Sequence, residues 1–314
     1  MSHHPNPAAV QAAHQFVADV RTRVGKVVVG QDVVVERVMI AMLTGGHLLL
    51  QGMPGLAKTL LVNTVAKAIQ LDFRRIQFTV DMLPSDIVGS EVIDQKSGDF
   101  RILRGPIFTN LLLADEINRT PPKTQSALLE AMEEGQVSAD GVTRPLPRPF
   151  LVAATQNPVE FEGTYPLPEA QLDRFLLKVV LPVPPREDEI TILTRHAEGF
   201  DPRDVAGAGV RPVAGAADLE AGQAAVRKVQ VAPEVASYIV DIARATRASP
   251  SLSLGVSPRG ATALLRAARA WAWLSGRDFV TPDDVKALAQ ASLAHRDRKS
   301  TRLNSSHTDI SRMP

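Results

Sequence analysis

The stretch that decides the fold is residues 47–61, which read HLLLQGMPGLAKTLL. Its first five residues form a short apolar run typical of a buried strand, and a helical pattern begins near Lys58. Between them, GMPGLAKT (52–59) follows the spacing G-x-x-x-x-G-K-[ST], with Ala57 in place of the last glycine. Such a loop between a strand and a helix wraps a phosphate with backbone amides and the helix N-terminus. The stretch therefore predicts a phosphate-binding loop.

The side chains of this loop indicate a nucleotide with magnesium. Lys58 would give a compact positive charge to the β- and γ-phosphates, and Thr59 would offer its hydroxyl to Mg²⁺. A Gly/Pro turn before a helix is the alternative, and the strand–loop–helix context disfavours it. We therefore predict ATP and Mg²⁺ as ligands. The ATP-binding residues predicted in this segment are Gly52, Pro54, Gly55, Leu56, Ala57, Lys58, Thr59 and Leu60.

A second segment, LLLADEINR (111–119), ends an apolar run with two carboxylates. Asp115 would hold magnesium through its water shell. Glu116 would orient and polarise an attacking water. Taken alone, the pattern is weak, because strands often end in an acidic turn. Together with a phosphate-binding loop upstream it indicates ATP hydrolysis.

Apolar runs that alternate with helical patterns predict the fold class. Runs that are apolar on both faces, such as LLLA, are typical of central strands in a parallel sheet covered by helices on both sides. We predict an α/β fold, a P-loop NTPase core with a parallel five-stranded sheet. The predicted strands are 47–51, 74–79, 111–116, 150–155 and 176–182.

The pattern changes at LPVPPRED (181–188), where prolines interrupt it and strand signals nearly vanish beyond. We predict a core over 1–184, with an N-terminal helix over 1–24, and an all-helical domain over 185–297. The helices predicted there are 186–198, 217–228, 233–247, 258–275 and 282–295. Other predicted features are a helix over 121–134 that Thr120 caps, and hairpin turns at Ser97-Gly98 and Asp140-Gly141.

Composition excludes several classes of protein. The chain has 314 residues and no cysteine, which excludes disulfide scaffolds and thiolate zinc sites and favours the cytoplasm. No apolar run is long enough for a membrane span. Formal net charge is +1. Residues 298–314 contribute +3 of it, which leaves −2 on the rest and argues against a general nucleic-acid binder.

That last segment, RKSTRLNSSHTDISRMP, is polar and basic and lacks apolar periodicity. We expect it to be disordered. It is similar to translated adapter or vector sequence, so we also expect it to be no part of the natural protein. A basic docking tail is the alternative.

The order of the motifs resembles the MoxR group of AAA+ ATPases over residues 25–297. The resemblance rests on VVVGQ, GMPGLAKT, DMLPSDIVG, LLLADEINRTPPKTQSALLEAMEEGQV, ATQNPVEFEGTYPLPEAQLDRF and GVSPRGATALLRAARA. In the second of these Ala57 departs from glycine, and Val80 stands where the family usually has proline. What the resemblance implies is a nucleotide-binding core followed by a helical lid.

The resemblance also implies roles for residues that local pattern leaves open. Val29, Gly30 and Gln31 match the segment lining the adenine pocket. Asn157 matches sensor 1, although Asn-Pro alone is an ordinary turn. Arg174 matches the arginine finger that acts on a neighbour's nucleotide; by itself it could pair with Asp173 or Glu169. Arg259 matches the ATP-binding sensor 2 arginine of the lid, and its alternative is a surface charge.

The expected function is that of a MoxR-type ATPase that assembles into a ring, hexameric by resemblance. ATP hydrolysis would drive chaperone-like remodelling or maturation of a client complex, including metal-cofactor insertion. A von Willebrand factor A domain protein is the expected partner. The alternatives are a magnesium-chelatase-like subunit and a DNA-acting AAA+ motor. The absence of a basic stripe with interleaved aromatic residues makes nucleic acid the less favoured partner.

Overall fold

The computed structural model describes residues 7–93, 100–139, 142–157, 164–202, 204–296 and 298–299. The helices are α1 (Pro7–Gly25), α2 (Asp32–Thr44), α3 (Lys58–Ala68), α4 (Pro84–Val88), α5 (Pro122–Glu134), α6 (Glu169–Leu172), α7 (Arg186–Ala197), α8 (Ala216–Lys228), α9 (Pro233–Ala248), α10 (Pro258–Leu274) and α11 (Pro282–Leu293). The strands are β1 (His47–Gln51), β2 (Phe73–Gln77), β3 (Gly89–Ile93), β4 (Phe100–Arg104), β5 (Leu111–Asp115), β6 (Gln136–Ala139), β7 (Val142–Pro145), β8 (Leu151–Gln156), β9 (Phe175–Val180), β10 (Leu252–Leu254) and β11 (Arg298–Lys299).

Five strands form one parallel sheet in the order β2-β5-β8-β1-β9, which confirms the predicted α/β fold. The order places β1, which precedes the phosphate-binding loop, beside β8 and one strand away from β5. Parallel strands end at the same edge of a sheet, and ligands of such sheets bind outside that edge. The predicted chemistry of β1, β5 and β8 is therefore brought to one place.

Both faces of this sheet are covered, as the continuous apolar runs predict. Leu48 and Leu50 lie in one hydrophobic cluster, whereas Leu49 between them lies in the cluster on the other face. In β5, Leu113 likewise lies in the first cluster and Leu112 in the second. Because successive side chains of a strand point to opposite faces, a strand buried on both sides needs apolar residues throughout.

The predicted lid helices are observed within one or two residues of their expected bounds. They do not form a core of their own. Leu219 of α8 and Leu264 of α10 belong to the same buried cluster as Val38 of α2 and Leu50 of β1. The lid thus packs against the face of the core that α1 and α2 cover.

Two local predictions differ from the structure. α5 begins at Pro122 with Pro121 as N-cap, so Thr120 is not the cap. The Thr120 hydroxyl is buried and has no hydrogen-bond partner among the described residues. Arg298 and Lys299, the first two residues of the segment expected to be disordered, instead form β11, which pairs with Leu254 and Leu252 of β10. The rest of that segment lies outside the described residues, apart from these two.

Both predicted hairpins are present as antiparallel pairs, β3 with β4 and β6 with β7. Their expected turns, Ser97-Gly98 and Asp140-Gly141, lie outside the described residues. No helix in the described part of the chain combines the length and the apolar character that crossing a membrane requires.

Candidate active site

The phosphate-binding loop joins β1 to α3, as predicted. Gly55 has a φ of +87°, and Ala57, the residue before α3, has φ 52° and ψ 27°. Both residues therefore adopt the left-handed region. For a residue with a Cβ this conformation costs about 1–2 kcal/mol, which is why glycine suits the position of Ala57 better. The loop turns sharply enough to begin the helix at Lys58.

Lys58 is the positive charge of the loop. Its Nζ donates a 2.8 Å hydrogen bond to the carbonyl oxygen of Gly52 and so lies over the loop. Burial lowers the pKa of Lys58, and the negative charges of Asp115 and Glu116 partly oppose that change. The ammonium group is thus partly desolvated and close to two carboxylates, where further negative charge would stabilise it.

Asp115 and Glu116 lie at the end of β5 and are held by their neighbours. Asp115 accepts a 2.5 Å hydrogen bond from the hydroxyl of Thr155 on β8. That hydroxyl also accepts a 2.8 Å hydrogen bond from the backbone N–H of Glu116. Glu116 has a left-handed φ of 58°, which ends the strand and turns its side chain into the cavity described below. Thr155 therefore fixes both acidic residues to the neighbouring strand.

Two residues of β2, neither of them predicted from the sequence, contact these carboxylates. Arg75 donates to Asp115 from Nε at 3.0 Å and from Nη2 at 2.6 Å, and it also donates to the Gln77 side chain. Gln77 donates a 2.7 Å hydrogen bond to Glu116, which also pairs with Arg119 at 3.1 Å. The only signal in the sequence is the two-residue spacing, which puts Arg75 and Gln77 on one side of a strand.

One cavity of about 890 Å³ opens at this edge of the sheet. It is lined by most of the residues that the sequence predicted for ATP and its hydrolysis: Val29, Gln31, Pro54, Gly55, Leu56, Ala57, Lys58, Thr59, Leu60, Asp115, Glu116 and Asn157. Gly52 and Gly30 do not line the cavity: the carbonyl oxygen of Gly52 accepts the hydrogen bond from Lys58, and Gly30 lies between two lining residues. Arg174 and Arg259 do not line this cavity.

One part of the cavity is apolar and lies between the core and the lid. Val27, Val28 and Val183 line it, together with Ile192 and Leu193 of α7. Leu193 is 70% exposed, which leaves a large apolar side chain available to a ligand. The family resemblance implies an adenine pocket at the valine segment, whereas no pattern in the sequence predicts that α7 contributes to it.

A second, smaller cavity, of about 190 Å³, gathers arginines. Arg174 and Arg259 each bind one oxygen of Glu133, at 3.1 Å and 3.0 Å. Arg296, only 3% exposed, binds Asp173 at 2.6 Å and the carbonyl of Phe175 at the same distance. Among the described residues, the two cavities have no lining residue in common. Among the described side chains, Arg174 is thus paired with Glu133 and not with Asp173, whereas the side chain of Glu169 lies outside the described residues.

Comparison with known proteins agrees with this geometry. A sequence model of the ATPase family associated with various cellular activities (AAA) matches residues 47–177, and one of the AAA lid domain matches residues 244–312. The chain is 43% identical to the chaperone MoxR1 of Mycobacterium tuberculosis over 282 residues, or 87% of this chain and 73% of that protein. The chain belongs to the MoxR family of AAA+ ATPases. The protein MoxR of Paracoccus denitrificans is 34% identical to this chain. The match covers 90% of this chain and 88% of that protein.

A solved structure extends the MoxR-family match to the fold. A protein of Cytophaga hutchinsonii, described as a candidate ATPase, superposes with a TM-score of 0.85 at 43% identity. The match covers 94% of this chain and 91% of that one. Family membership confirms the predicted resemblance and the ATPase class, so nucleotide is the expected ligand of the large cavity.

The donors in the cavity fit such a ligand. An ammonium group and a helix N-terminus suit phosphate oxygens, whereas a hydroxyl and a carboxylate suit a hard divalent cation. Lys58, Thr59 and Asp115 supply these groups, and the apolar part of the cavity suits a base. The polar and apolar parts therefore match the two ends of a nucleotide.

Proposed function

We propose that this MoxR-family protein binds ATP with Mg²⁺ in the large cavity, hydrolyses it, and uses the energy to remodel client proteins. The observation that carries the proposal is the convergence of Lys58, Thr59, Asp115, Glu116 and Asn157 on one cavity. They come from α3, from the end of β5 and from the end of β8, about 100 residues apart in sequence at the extremes. No fold requirement explains two carboxylates close to a half-buried lysine.

Magnesium has candidate ligands on two elements. The hydroxyl of Thr59 and, through water, the carboxylate of Asp115 would hold it. Bound there, Mg²⁺ would supply positive charge to the phosphate oxygens. Asp115 is 8% exposed and fixed by Thr155, so the protein presents this carboxylate in one orientation.

Glu116 is the candidate general base. Its side chain lines the cavity and is held from two sides, by Gln77 and by Arg119. Asn157, which follows β8 and is 6% exposed, lines the same cavity and can help to orient a water. Contacts with Gln77 and Arg119 and the nearby amide of Asn157 restrict the side chain of Glu116. A group that positions an attacking water must be restricted in this way.

We further propose that Arg174 and Arg259 act on the nucleotide of a neighbouring subunit in a ring. Both lie outside the cavity of their own chain and share Glu133 as their partner. The second cavity contains four arginines and two acidic side chains, so positive charge exceeds negative charge there. Such a surface suits the γ-phosphate of a nucleotide presented by another copy of the chain.

The biological role of the ring is proposed from the family. The relative MoxR1 is named a chaperone, which supports remodelling of client proteins. A chain without cysteine favours the cytoplasm as the place of that role. A partner with a von Willebrand factor A domain, metal-cofactor insertion and six subunits follow from the resemblance alone. ATPase stimulation by DNA would instead favour a DNA-acting motor, and stimulation of metal chelation would favour a chelatase-like subunit.

Calorimetric titration with ATP and Mg²⁺ tests the nucleotide site. Lys58→Ala should abolish binding at micromolar ATP, because Lys58 is the cation that the loop holds over its own backbone. Lys67→Ala is the matched control, since it removes the same charge from the exposed far end of α3 and should bind like the wild type. Unchanged affinity in Lys58→Ala would refute the phosphate-binding assignment.

A further inference from the structure

Arg75 makes an unusual contact for a residue of an edge strand. Two of its guanidinium nitrogens donate to the same oxygen, Oδ2, of Asp115, at 3.0 Å and 2.6 Å. The other oxygen, Oδ1, is taken by the hydroxyl of Thr155. Both oxygens of the carboxylate that is the candidate magnesium ligand are therefore already bonded within the chain.

This contact answers an electrostatic need. Asp115 is buried, and a buried carboxylate is costly unless a cation or several donors compensate it. Lys58 instead donates to Gly52, so the guanidinium of Arg75 is the positive charge in direct contact with Asp115 among the described residues. The Arg75 side chain remains 45% exposed and lines the large cavity, so it has room to move away.

Two cations thus compete for one carboxylate. A divalent ion at Asp115 would stand beside the guanidinium, and like charges at such distances repel strongly where water is partly excluded. We propose that Arg75 is the exchangeable counter-ion of Asp115: it neutralises the carboxylate when nucleotide binds without magnesium, and Mg²⁺ displaces it when the nucleotide brings the metal. The proposal rests on the nucleotide site proposed above.

Arg75 therefore determines how strongly nucleotide binding depends on magnesium. Without the guanidinium, metal-free nucleotide would meet the uncompensated charge of Asp115 and bind more weakly. With magnesium present, the metal would have no competitor, so affinity would stay the same or rise. A direct phosphate ligand would behave differently, because its loss weakens binding under both conditions.

The test uses ADP, so that no hydrolysis is involved. Binding of ADP to the full-length protein is measured by calorimetry in excess EDTA and in excess MgCl₂. The quantity compared between variants is the dissociation constant in EDTA divided by the dissociation constant in MgCl₂. Arg75→Gln, which keeps a hydrogen-bond donor but no charge, should raise the ratio at least about tenfold. Arg75→Lys keeps the positive charge on which the proposal depends, so its ratio should stay within about threefold of the wild-type ratio.

Arg74→Gln is the matched control. Arg74 is the preceding residue of β2, is exposed, and points to the opposite side of the strand. The substitution Arg74→Gln removes the same charge from the same strand and should leave the ratio of dissociation constants at the wild-type value. A rise in Arg74→Gln equal to that in Arg75→Gln would reduce the effect to general electrostatics and overturn the proposal.

Other outcomes also decide the matter. Equal weakening in EDTA and in magnesium would make Arg75 a phosphate ligand, and a lower melting temperature with an unchanged ratio would make it a structural ion pair; either result overturns the counter-ion assignment. If the wild type itself binds no ADP under either condition, the proposed nucleotide function fails instead. The two failures are therefore distinguishable.

Discussion

Acid should destabilise this protein through a histidine at the start of the sheet, His47. Its Nε2 donates to the carbonyl oxygen of Met132 on α5 at 3.0 Å, and its Nδ1 accepts from the backbone N–H of Val152 on β8 at 3.0 Å. The imidazole must be neutral to make both bonds. It thereby links β1, β8 and α5, the elements next to the candidate site.

The size of the effect follows from the pKa. Burial is the main reason that the pKa of His47 falls from its ordinary 6.5 to about 4, and the positive charge of Arg266 adds to it. As pH falls below 6.5, the unfolded chain takes up a proton that the folded chain resists until about pH 4. Stability is therefore lost across this window, and His47 alone should cost about 2 kcal/mol between about pH 7.5 and about pH 5. Burial also lowers the pKa of His295 to about 3, which adds a second loss of the same sign.

Urea unfolding at the two pH values, followed by circular dichroism, measures the loss. His47→Gln separates the contribution of His47, because an amide offers one donor and one acceptor but does not titrate in this range. Its loss of stability should be smaller than that of the wild type by about 2 kcal/mol. Equal losses in the two proteins would show that His47 takes up a proton as easily in the folded chain, and would refute the reasoning.

Three further predictions concern the ring, the loop and the lid. Arg174→Ala should bind ATP normally but hydrolyse it about 10³–10⁵-fold more slowly. Mixing it with Lys58→Ala should restore some activity, and mixed rings that remain inactive would argue against action between subunits. Ala57→Gly should raise stability in urea by about 0.5–1 kcal/mol, because relief of the left-handed strain exceeds the added chain entropy. Arg277→Ala should lower the free energy of unfolding by about 3 kcal/mol, since it leaves the 2% exposed carboxylate of Asp284 unpaired, and protease susceptibility of α11 should rise with it.

The sheet and the loop could be predicted because their sequence signals are local. A strand with both faces buried must be apolar at every position. Leu48–Leu50 of β1 and the LLLA of β5 meet this requirement. The phosphate-binding loop needs fixed residue types at fixed spacing, and only Ala57 departs from them. α2 could not be predicted for the opposite reason: eight of its thirteen residues are buried, and its charged residues lie only in its first half, so the polar face is too short to reveal a helical period.

The parts of the site that escaped prediction depend on long-range arrangement. Arg75 and Gln77 are exposed residues of an edge strand, and only the pairing of β2 with β5 brings them to Asp115 and Glu116. The family resemblance groups Arg259 with the ATP-binding residues. Its place beside Arg174 is set by how α10 packs on the core, which no local pattern encodes.

The measurement that tests the central claim most directly is the identity of the bound nucleotide after turnover with Mg²⁺ and ATP. In Glu116→Gln the amide keeps the shape of the side chain but cannot take a proton from water, so hydrolysis should slow by about two to four orders of magnitude. Chromatography of the nucleotide released from the protein should then show ATP in Glu116→Gln and ADP in the wild type. ADP in both, formed at similar rates, would contradict the assignment of Glu116 and with it the proposed ATPase site.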